Sequence, residues 1–453
     1  MSGEDIATKS TIFPTDERQV SSFNENGSAI IKVVGVGGGG NNAVNYMYKQ
    51  NIPGVSFVVT NTDRQALHNS PVPEQVLLGP NTSRGLGAGN KPEKAKAAAE
   101  ESAEELAELF DEDTKMVFVT AGMGGGTGTG ASPVVARIAR ERGMLTVGIV
   151  TIPFLFEGEK KIIKALEGAD EMGKYVDAML IINNERLTEI YSDLEFDNAF
   201  DKADETLTDA ARSISELINF KGKINLDFED VNTTLKDGGT AIISTGYGEG
   251  ENRVTKAIED ALNSPLLKNR DVQTSKRFLF NLYYSKKSEH PFMMGEANEI
   301  TAFMNNFAKD VDVIWGTSVD DTLGDKVKIT ILASGFDISL SNETTYKPKP
   351  KQEPVAADDD SRISAEYGKE KVAERNRKKA SANYILLTPQ QMDNDTLINF
   401  IEKTPTFRRG SDSRLREEWR TLSESQAEIA EPTHMAPKPA QETGHGMREI
   451  EFD

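Results

Sequence analysis

The chain has 453 residues, of which 37% are hydrophobic and 27% are charged, and it carries a formal net charge of −20 at pH 7 with no cysteine. The acidic balance argues against nucleic acid as the main ligand, and the lack of cysteine excludes disulfides, thiolate nucleophiles and cysteine-based metal sites. No apolar run approaches the roughly 20 residues that a membrane span needs, so we expect a cytoplasmic protein of two or three domains with no direct membrane span.

The first half of the chain alternates β-branched runs with helical patterns. Strands are predicted at 30–34, 55–60, 116–120, 145–152 and 178–182, and helices at 42–50, 92–110 and 133–142, the last two opening on Pro92 and Pro133. Two glycine-rich loops follow strands, GVGGGGNN at 35–42 and GMGGGTGTG at 122–130, and a third, RGLGAG, occupies 84–89. This βαβ order predicts an α/β fold with a mostly parallel sheet and ligands at its carboxyl edge.

A long central helix is predicted over 197–219, with an apolar stripe that includes Phe200. A polar segment at 224–230 follows it. Strands at 240–244, 278–283, 311–315 and 327–333, with helices at 253–262 and 294–306, predict a smaller α+β domain of four strands. Apolar residues become sparse after 341, and a short helix is predicted around 414–420.

These changes in pattern predict six segments. They are a disordered arm at 1–28, a nucleotide-binding domain at 29–222 including the central helix, an α+β domain at 223–340, a disordered linker at 341–383, a partner-docking peptide at 384–409 and a charged tail at 410–453.

The two main glycine loops have the context of phosphate sites, because each places backbone N–H groups and a helix N-terminus at the end of a strand. Neither contains the lysine of a P-loop, so backbone N–H groups, the hydroxyls of Thr127 and Thr129, helix dipoles and a bound Mg²⁺ would have to meet the charge of a triphosphate. The first loop also satisfies G-x-G-x-x-G, which leaves a dinucleotide site open but does not account for the second loop.

The polar segment contains Asn225, Asp227 and Asp230. Carboxylates three residues apart share a face if a helix begins here, and they could polarise water or hold a cation. The spacing itself favours a simpler interpretation, in which Asp227 is a helix N-cap and Asp230 completes a capping box.

The run GGGTGTG at 124–130 resembles the signature of the tubulin/FtsZ superfamily, and the chain resembles the FtsZ family of bacterial cell-division GTPases. GGGGNNA at 37–43, NTD at 61–63, GLGAG at 85–89, PFLFEG at 153–158 and NLDFED at 225–230 support this in the family's order. The resemblance covers about residues 30–337. It implies a tubulin-like GTPase domain that binds GTP or GDP together with Mg²⁺.

Motif matching assigns a binding or catalytic role to fifteen residues. The resemblance implies phosphate contacts by Gly38, Gly39, Gly40, Asn41, Asn42, Gly126, Thr127 and Gly128, a ribose contact by Glu157, a charge near the phosphate or ribose from Lys161, base packing by Phe200, guanine recognition by Asp204, and catalysis by Asn225, Asp227 and Asp230. A carboxylate at Asp204 suits guanine because it can accept from N1–H and the N2 amino group, which adenine does not offer.

The resemblance also implies how the carboxylates act. In this family the loop that matches 225–230 enters the nucleotide pocket of the next subunit, so hydrolysis depends on assembly into a head-to-tail homopolymer. Such filaments form the cytokinetic ring at the mid-cell division site. The segment TPTFRR at 404–409 resembles the family's docking peptide for division proteins and membrane tethers, although some forty residues follow it.

Two departures from the family pattern limit the assignment. Lys161 stands where the family often has arginine, and NNE at 183–185 stands where Pro-Asn-Asp is common. Two other functions stay open: a nicotinamide-dependent oxidoreductase built on the G-x-G-x-x-G motif, and a segregation-type tubulin-like filament protein. The oxidoreductase lacks an obvious acid–base set, since the chain has only four histidines.

Overall fold

The structure is a computed structural model, and it describes residues 29–190, 196–264, 275–304, 311–336, 359–373, 375 and 395–404. The chain forms two compact units, residues 1–368 and 369–453, which are considered separately. The predicted arm at 1–28, the tail at 410–453 with its helix, and residues 384–394 and 405–409 of the docking peptide lie outside the described residues.

Ten strands of the first unit form one sheet with the order β3-β2-β1-β4-β5-β6-β7-β10-β8-β9. The strands are β1 (Ile31–Val36), β2 (Val55–Asn61), β3 (Glu74–Leu77), β4 (Met116–Gly122), β5 (Leu145–Ile152), β6 (Ala178–Asn183), β7 (Gly239–Gly248), β8 (Arg277–Tyr284), β9 (Asp312–Val319) and β10 (Val327–Ser334). Strands β1 to β6 are parallel to one another, so their carboxyl ends share one edge. This confirms the predicted fold class, and of the ten strands only β3 was missed.

The smaller sheet, β7 to β10, joins the larger one through just two residue pairs between β6 and β7. Strand β10 is antiparallel to β7 and β8, and β9 is parallel to β8. A second apolar core lies beneath these strands, with Phe278, Phe280 and Ile331 at its centre. The prediction of four strands in this region is therefore confirmed.

Thirteen helices are present in the described residues. They are α1 (Gly37–Lys49), α2 (Arg64–His68), α3 (Pro92–Glu101), α4 (Ala103–Glu108), α5 (Thr127–Glu141), α6 (Glu159–Gly173), α7 (Asn184–Ile190), α8 (Phe196–Asn219), α9 (Phe228–Leu235), α10 (Arg253–Leu262), α11 (Ala297–Met304), α12 (Asp359–Tyr367) and, in the second unit, α13 (Asp395–Lys403). None of the helices in this described part is both long enough and apolar enough to cross a membrane.

Two predicted helix starts were wrong in the same way. Helix α1 begins at Gly37, five residues before the predicted Asn42, and α5 begins at Thr127, six residues before Pro133. The glycine runs are thus the first turns of the helices and not loops that precede them. Packing explains this, because a Cβ on Gly40 would lie 2.3 Å from the Thr120 carbonyl oxygen, so only glycine lets α1 lie this close to β4.

The predicted helix over 92–110 is interrupted at Ser102. Its hydroxyl accepts a hydrogen bond from Gly79 N at 3.0 Å, and its backbone leaves the helical region. Local hydrogen bonding by a serine side chain competes with helix continuation, and here it divides the segment into α3 and α4. The predicted start at Pro92 is confirmed.

The main apolar core joins the parallel sheet to the central helix α8. Ala203, Leu207, Ala210, Ile214 and Leu217 of the predicted stripe are all buried in the first unit. Phe200 differs from that prediction because its side chain is 38% exposed, which leaves it available for another role. Because α8 has 24 residues, it spans about 36 Å and connects two distant ends of the domain.

Candidate functional site

The N-termini of α1 and α5 meet at the carboxyl edge of the parallel sheet. A Cβ on Gly37 would lie 2.7 Å from Gly128 N, and one on Gly39 would lie 3.1 Å from the Cα of Gly122. Gly37 has a φ of +73°, which glycine adopts without strain. Two helix N-termini therefore direct unpaired N–H groups and positive dipole ends into the same space, which is suited to an anion with several charges.

Two glycines of this cradle face open space, whereas the others contact backbone. A Cβ added at Gly38 or Gly125 would meet no atom within 4 Å, and Gly38 is exposed. A Cβ on Gly128 would lie 2.4 Å from the carbonyl oxygen of Gly122, and one on Gly126 would lie 3.0 Å from Ala88 Cβ. Glycine at 126 and 128 is explained by packing within the protein, and the open sides of Gly38 and Gly125 form a cavity of the kind that phosphate groups fill.

Asn41 and Asn42 differ in their environments although they are adjacent. Asn41 is buried, and in the amide orientation that satisfies it, the side-chain nitrogen donates to Gly35 O at 2.9 Å and to Gly37 O and Thr60 O at 3.2 Å. It thus ties α1 to β1 and β2, so a phosphate contact at Asn41 falls to its backbone N–H. Asn42 is exposed.

Threonine hydroxyls stabilise the second glycine loop. Thr127 Oγ1 lies 2.7 Å from Thr62 Oγ1, and Thr129 Oγ1 accepts a hydrogen bond from Gly124 N at 2.8 Å. Gly124 has a φ of +98°, so this hydrogen bond fixes a turn that favours glycine. Sequence analysis quoted Thr62 within the NTD motif but assigned it no role; the structure places it beside Thr127.

The third glycine-rich loop forms another wall of the same cradle. A Cβ on Gly126 would lie 3.1 Å from Lys91 N, and one on Gly130 would lie 2.0 Å from Pro92 O. Residues 84–92 therefore lie directly against the start of α5. Sequence analysis described this loop only as flexible, although its glycine spacing was the available signal.

A cluster of aromatic rings and one ion pair lie at the start of α6. Phe154 stacks on Phe156 at 5.2 Å and meets Phe200 edge to face at 5.2 Å, and Phe156 is 62% exposed. Glu157 accepts a hydrogen bond from Phe154 N at 2.8 Å and forms an ion pair with Lys161 one turn later. The predicted base-packing and ribose residues are thus brought together, with exposed ring surface on which a base can stack.

Asp204 lies one helical turn after Phe200 on the same face of α8. Burial, reinforced by the nearby Asp201 carboxylate, raises the pKa of Asp204 to about 7. A carboxyl group with no cationic neighbour in a partly buried position is disfavoured in its charged form. A ligand that donates hydrogen bonds to it would reverse that preference.

The loop that follows α8 is held firmly at its base. Thr317 N donates to Ile224 O at 2.8 Å, and Asn225 Oδ1 accepts from Gly222 N at 2.8 Å. A Cβ on Gly222 would lie 1.4 Å from the carbonyl oxygen of Thr317, so glycine is required where the loop crosses β9. Leu226 is buried while Asn225 and Asp227 are exposed, which presents polar side chains on a fixed backbone.

Asp227 and Asp230 form the capping box that their spacing predicted. Asp227 Oδ1 accepts from Asp230 N at 3.1 Å, and Asp230 Oδ2 accepts from Asp227 N at 2.9 Å. Each hydrogen bond uses one oxygen of a carboxylate and leaves the second oxygen for another donor. The structural and catalytic interpretations of this pair are therefore compatible.

The glycine cradle and the capped loop lie at opposite ends of the first unit. The cradle follows the carboxyl ends of β1 and β4, whereas α9 ends beside the start of β6, where the Lys236 side chain forms an ion pair with Asp177 at 3.0 Å. Asp204 and Asn219 are fifteen residues apart on one helix, which separates them by about 22 Å. One chain therefore cannot bring Asp227 and Asp230 to the phosphates that its own glycine loops would hold.

Comparison with known proteins identifies the class to which this fold and site belong. Residues 30–192 match the model of the tubulin/FtsZ family GTPase domain, and residues 239–337 match the model of the FtsZ family C-terminal domain. The chain is a guanine-nucleotide-binding GTPase of the tubulin type. Within that class it belongs to the FtsZ family.

Curated relatives agree with this assignment. The chain is 50% identical over 409 residues to the cell division protein FtsZ of Porphyromonas gingivalis, covering 87% of this chain and 89% of the relative. It is 42% identical over 315 residues to the cell division protein FtsZ of Pseudomonas aeruginosa, covering 69% of this chain and 79% of that one. These relatives do not favour an oxidoreductase or a segregation-type filament protein.

Solved structures show the same fold. An empty FtsZ dimer from M. jannaschii superposes with a TM-score of 0.63 at 36% identity, covering 74% of this chain and 96% of that chain. CetZ2 from Haloferax volcanii, solved as a GTPγS-bound protofilament, superposes with a TM-score of 0.58 at 18% identity and supports the fold alone; it covers 77% of this chain and 99% of that chain.

Proposed function

We propose that this GTPase hydrolyses GTP at a site shared by two subunits of a head-to-tail filament, and that the filaments build the cytokinetic ring at mid-cell. The carrying observation is the separation of the glycine cradle from the capped carboxylates at opposite ends of the first unit. A surface that joins one end of a subunit to the other end of the next is heterologous, and it extends into filaments.

The cradle supplies the nucleotide half of the proposed site. Backbone N–H groups of Gly38, Gly39 and Gly40, with the start of α5, hold the phosphates, and the open sides of Gly38 and Gly125 leave room for them. Glu157 and Lys161 flank the ribose, and Phe200 and Asp204 take the base. Mg²⁺ binds with the nucleotide, as expected of a cation that is usually held through substrate phosphates and water.

The loop of the neighbouring subunit supplies the other half. The free oxygens of Asp227 and Asp230 orient and polarise the attacking water, while the hydrogen bonds of the capping box hold both carboxylates in place. Asn225 fixes the turn before them through Gly222 N. Hydrolysis then rises with assembly because the two halves meet only in a filament.

The second unit contributes recruitment in this proposal. Helix α13 (Asp395–Lys403) precedes the segment at 404–409, whose apolar and basic residues suit docking to division proteins and membrane tethers. Its Thr404 is described and buried, and the remaining residues of the segment lie outside the described residues. The tethered protein itself would stay on the cytoplasmic side of the membrane.

The test follows phosphate release and light scattering against protein concentration with GTP and Mg²⁺. We expect both signals to rise from a common threshold. Asp230→Asn keeps an oxygen that can accept from Asp227 N, so it should bind GTP and assemble normally while hydrolysis falls by about 100-fold. Glu229→Gln, the matched control on the same turn, should hydrolyse GTP like the wild type. A rate per molecule that is constant down to the lowest concentration would contradict a shared site.

A further inference from the structure

Helix α12 packs tightly on the nucleotide-binding part of the first unit, although it lies inside the segment that the sequence predicted to be a linker. Its two large apolar side chains, Ile363 and Tyr367, are four residues apart and 1% and 2% exposed. They occupy one face of the helix, and both have entered the protein interior. Burial of this extent shows that α12 has a defined binding surface on the domain.

Polar contacts fix the direction of α12 along α6. The Arg362 guanidinium forms an ion pair with the Asp170 carboxylate of α6, and the Tyr367 hydroxyl donates to Pro153 O. Asn183 Nδ2 donates at 3.0 Å to Glu366 O, a carbonyl in the last turn of α12 that has no partner within its own helix. Gly368 follows with a φ of +87°, so the helix ends where this contact is made.

The C-terminal end of α12 reaches the border of the proposed nucleotide pocket. Pro153 directly precedes Phe154, which starts the turn that carries Glu157. The same turn is bonded to the junction of β6 and α7, because Glu185 accepts from Leu155 N at 2.9 Å. Helix α12 therefore contacts both segments that form this border, through Pro153 and Asn183.

We propose that residues 359–368 act as an intramolecular strap that docks on the surface formed by α6 and the β6–α7 junction and slows the release of bound nucleotide. The strap fastens the turn at Phe154 to the β6–α7 junction, so the ribose and base side of the pocket opens less often while α12 is docked. The proposal rests on the nucleotide pocket proposed above, and it is independent of where hydrolysis takes place.

The occupant of this surface is the chain's own helix for a reason of distance and concentration. Only residues 337–358 separate α12 from the preceding described segment, and 22 extended residues reach up to about 75 Å. A tether of this length gives an effective concentration near the millimolar range, far above that of a second copy in solution.

A charge exchange tests the strap without relying on a single damaging substitution. Arg362→Glu and Asp170→Arg should each release α12, and the double variant should restore the ion pair with reversed polarity. Two measurements are made on full-length protein below the assembly threshold: hydrogen exchange of the amides in 359–368, and the rate at which excess GDP displaces a fluorescent GDP. Arg375→Glu, a charge reversal outside α12, serves as the matched control.

We expect each single variant to lose amide protection and to release nucleotide about two- to fivefold faster, with the double variant close to the wild type. Protection that is lost while the release rate stays unchanged would overturn the proposal, and so would fast exchange of 359–368 in the wild type. Protection that rises with protein concentration would assign the docked helix to a second copy and overturn the intramolecular strap. Failure of the wild type to bind the fluorescent GDP would instead count against the nucleotide pocket itself.

Discussion

Asp204 is the residue through which the proposed pocket senses both the base and the pH. Its raised pKa of about 7 means that the empty pocket holds a mixture of neutral and charged forms near neutrality. Since the folded pKa lies above the model value of 3.8, the stability of the nucleotide-free protein should fall as the pH rises from about 4 through 7. Guanine binding has the opposite sign, because only the carboxylate accepts from both N1–H and the N2 amino group.

We therefore predict that guanine nucleotide binds about tenfold more weakly at pH 6 than at pH 8, because the carboxyl group must lose a proton to bind the base. Isothermal titration with GDP across this range measures the effect. Asp204→Asn should bind GDP weakly at every pH and should lose this part of the pH dependence. Phosphate ionisation affects both proteins equally, so equal pH profiles for the two would rule out the role of Asp204.

Residue types carried the sequence prediction a long way at this scale, but their surroundings could not be predicted. The spacing of Asp227 and Asp230 indicated the capping box that the structure contains. By contrast, the inward direction of Asn41 and the pairing of Thr62 with Thr127 depend on strands brought together from distant parts of the chain. Such contacts leave no local periodic pattern in the sequence.

Helix α9 holds the proposed catalytic carboxylates at its start and is fastened at its other end by a buried charge. Asp177 is 1% exposed, and its carboxylate accepts from Thr146 N at 2.9 Å and forms an ion pair with Lys236, just after α9, at 3.0 Å. Arg140 of α5 lies 3.9 Å from the same carboxylate. Asp177 thereby connects the parallel sheet, α5 and the end of α9.

We predict that Asp177→Ala lowers the free energy of unfolding by about 2 kcal/mol, because Thr146 N loses its partner while Lys236 can still reach water. Hydrolysis should fall further than GTP binding, since α9 is less firmly placed. Urea unfolding and nucleotide titration measure the two effects. Glu100→Ala, which removes a more exposed ion pair with Arg137, should cost less than about 1 kcal/mol. Equal losses in the two variants would show that the Asp177 contacts are unimportant.

Elements were predicted well where the pattern is continuous and poorly where glycine begins them. The bounds of β5 and α10 agree with the sequence prediction to the residue, because each is a single apolar or amphipathic run. The starts of α1 and α5 were placed too late because glycine is a poor helix former in isolation. Tertiary packing against β4 outweighs that preference, as the 2.3 Å approach at Gly40 shows.

At the scale of the whole molecule, the essential feature is an incomplete site at each end. The family resemblance in the sequence implied this arrangement, and the length of α8 gives it a physical basis. The docking of α12 could not be predicted in the same way, because the segment at 359–367 contains only two large apolar residues in a polar stretch. Their spacing of four residues was the only available signal.

The most direct test of the shared site mixes two inactive variants. Asp230→Asn keeps the pocket but lacks the catalytic carboxylate, and Gly38→Asp keeps the loop but places a negative charge where a phosphate would lie. The open space at Gly38 admits the new side chain, and an acidic residue in the first turn of α1 suits the helix dipole, so the fold should persist. Thermal unfolding without nucleotide checks this.

Phosphate release is then measured for each variant alone and for an equal mixture at one total concentration above the wild-type threshold. We predict almost no hydrolysis by either variant alone. The mixture should reach about a quarter of the wild-type rate, because in a random filament a quarter of the heterologous contacts pair an intact pocket with an intact loop. A mixture no more active than the sum of its parts would contradict a GTPase site built from two subunits.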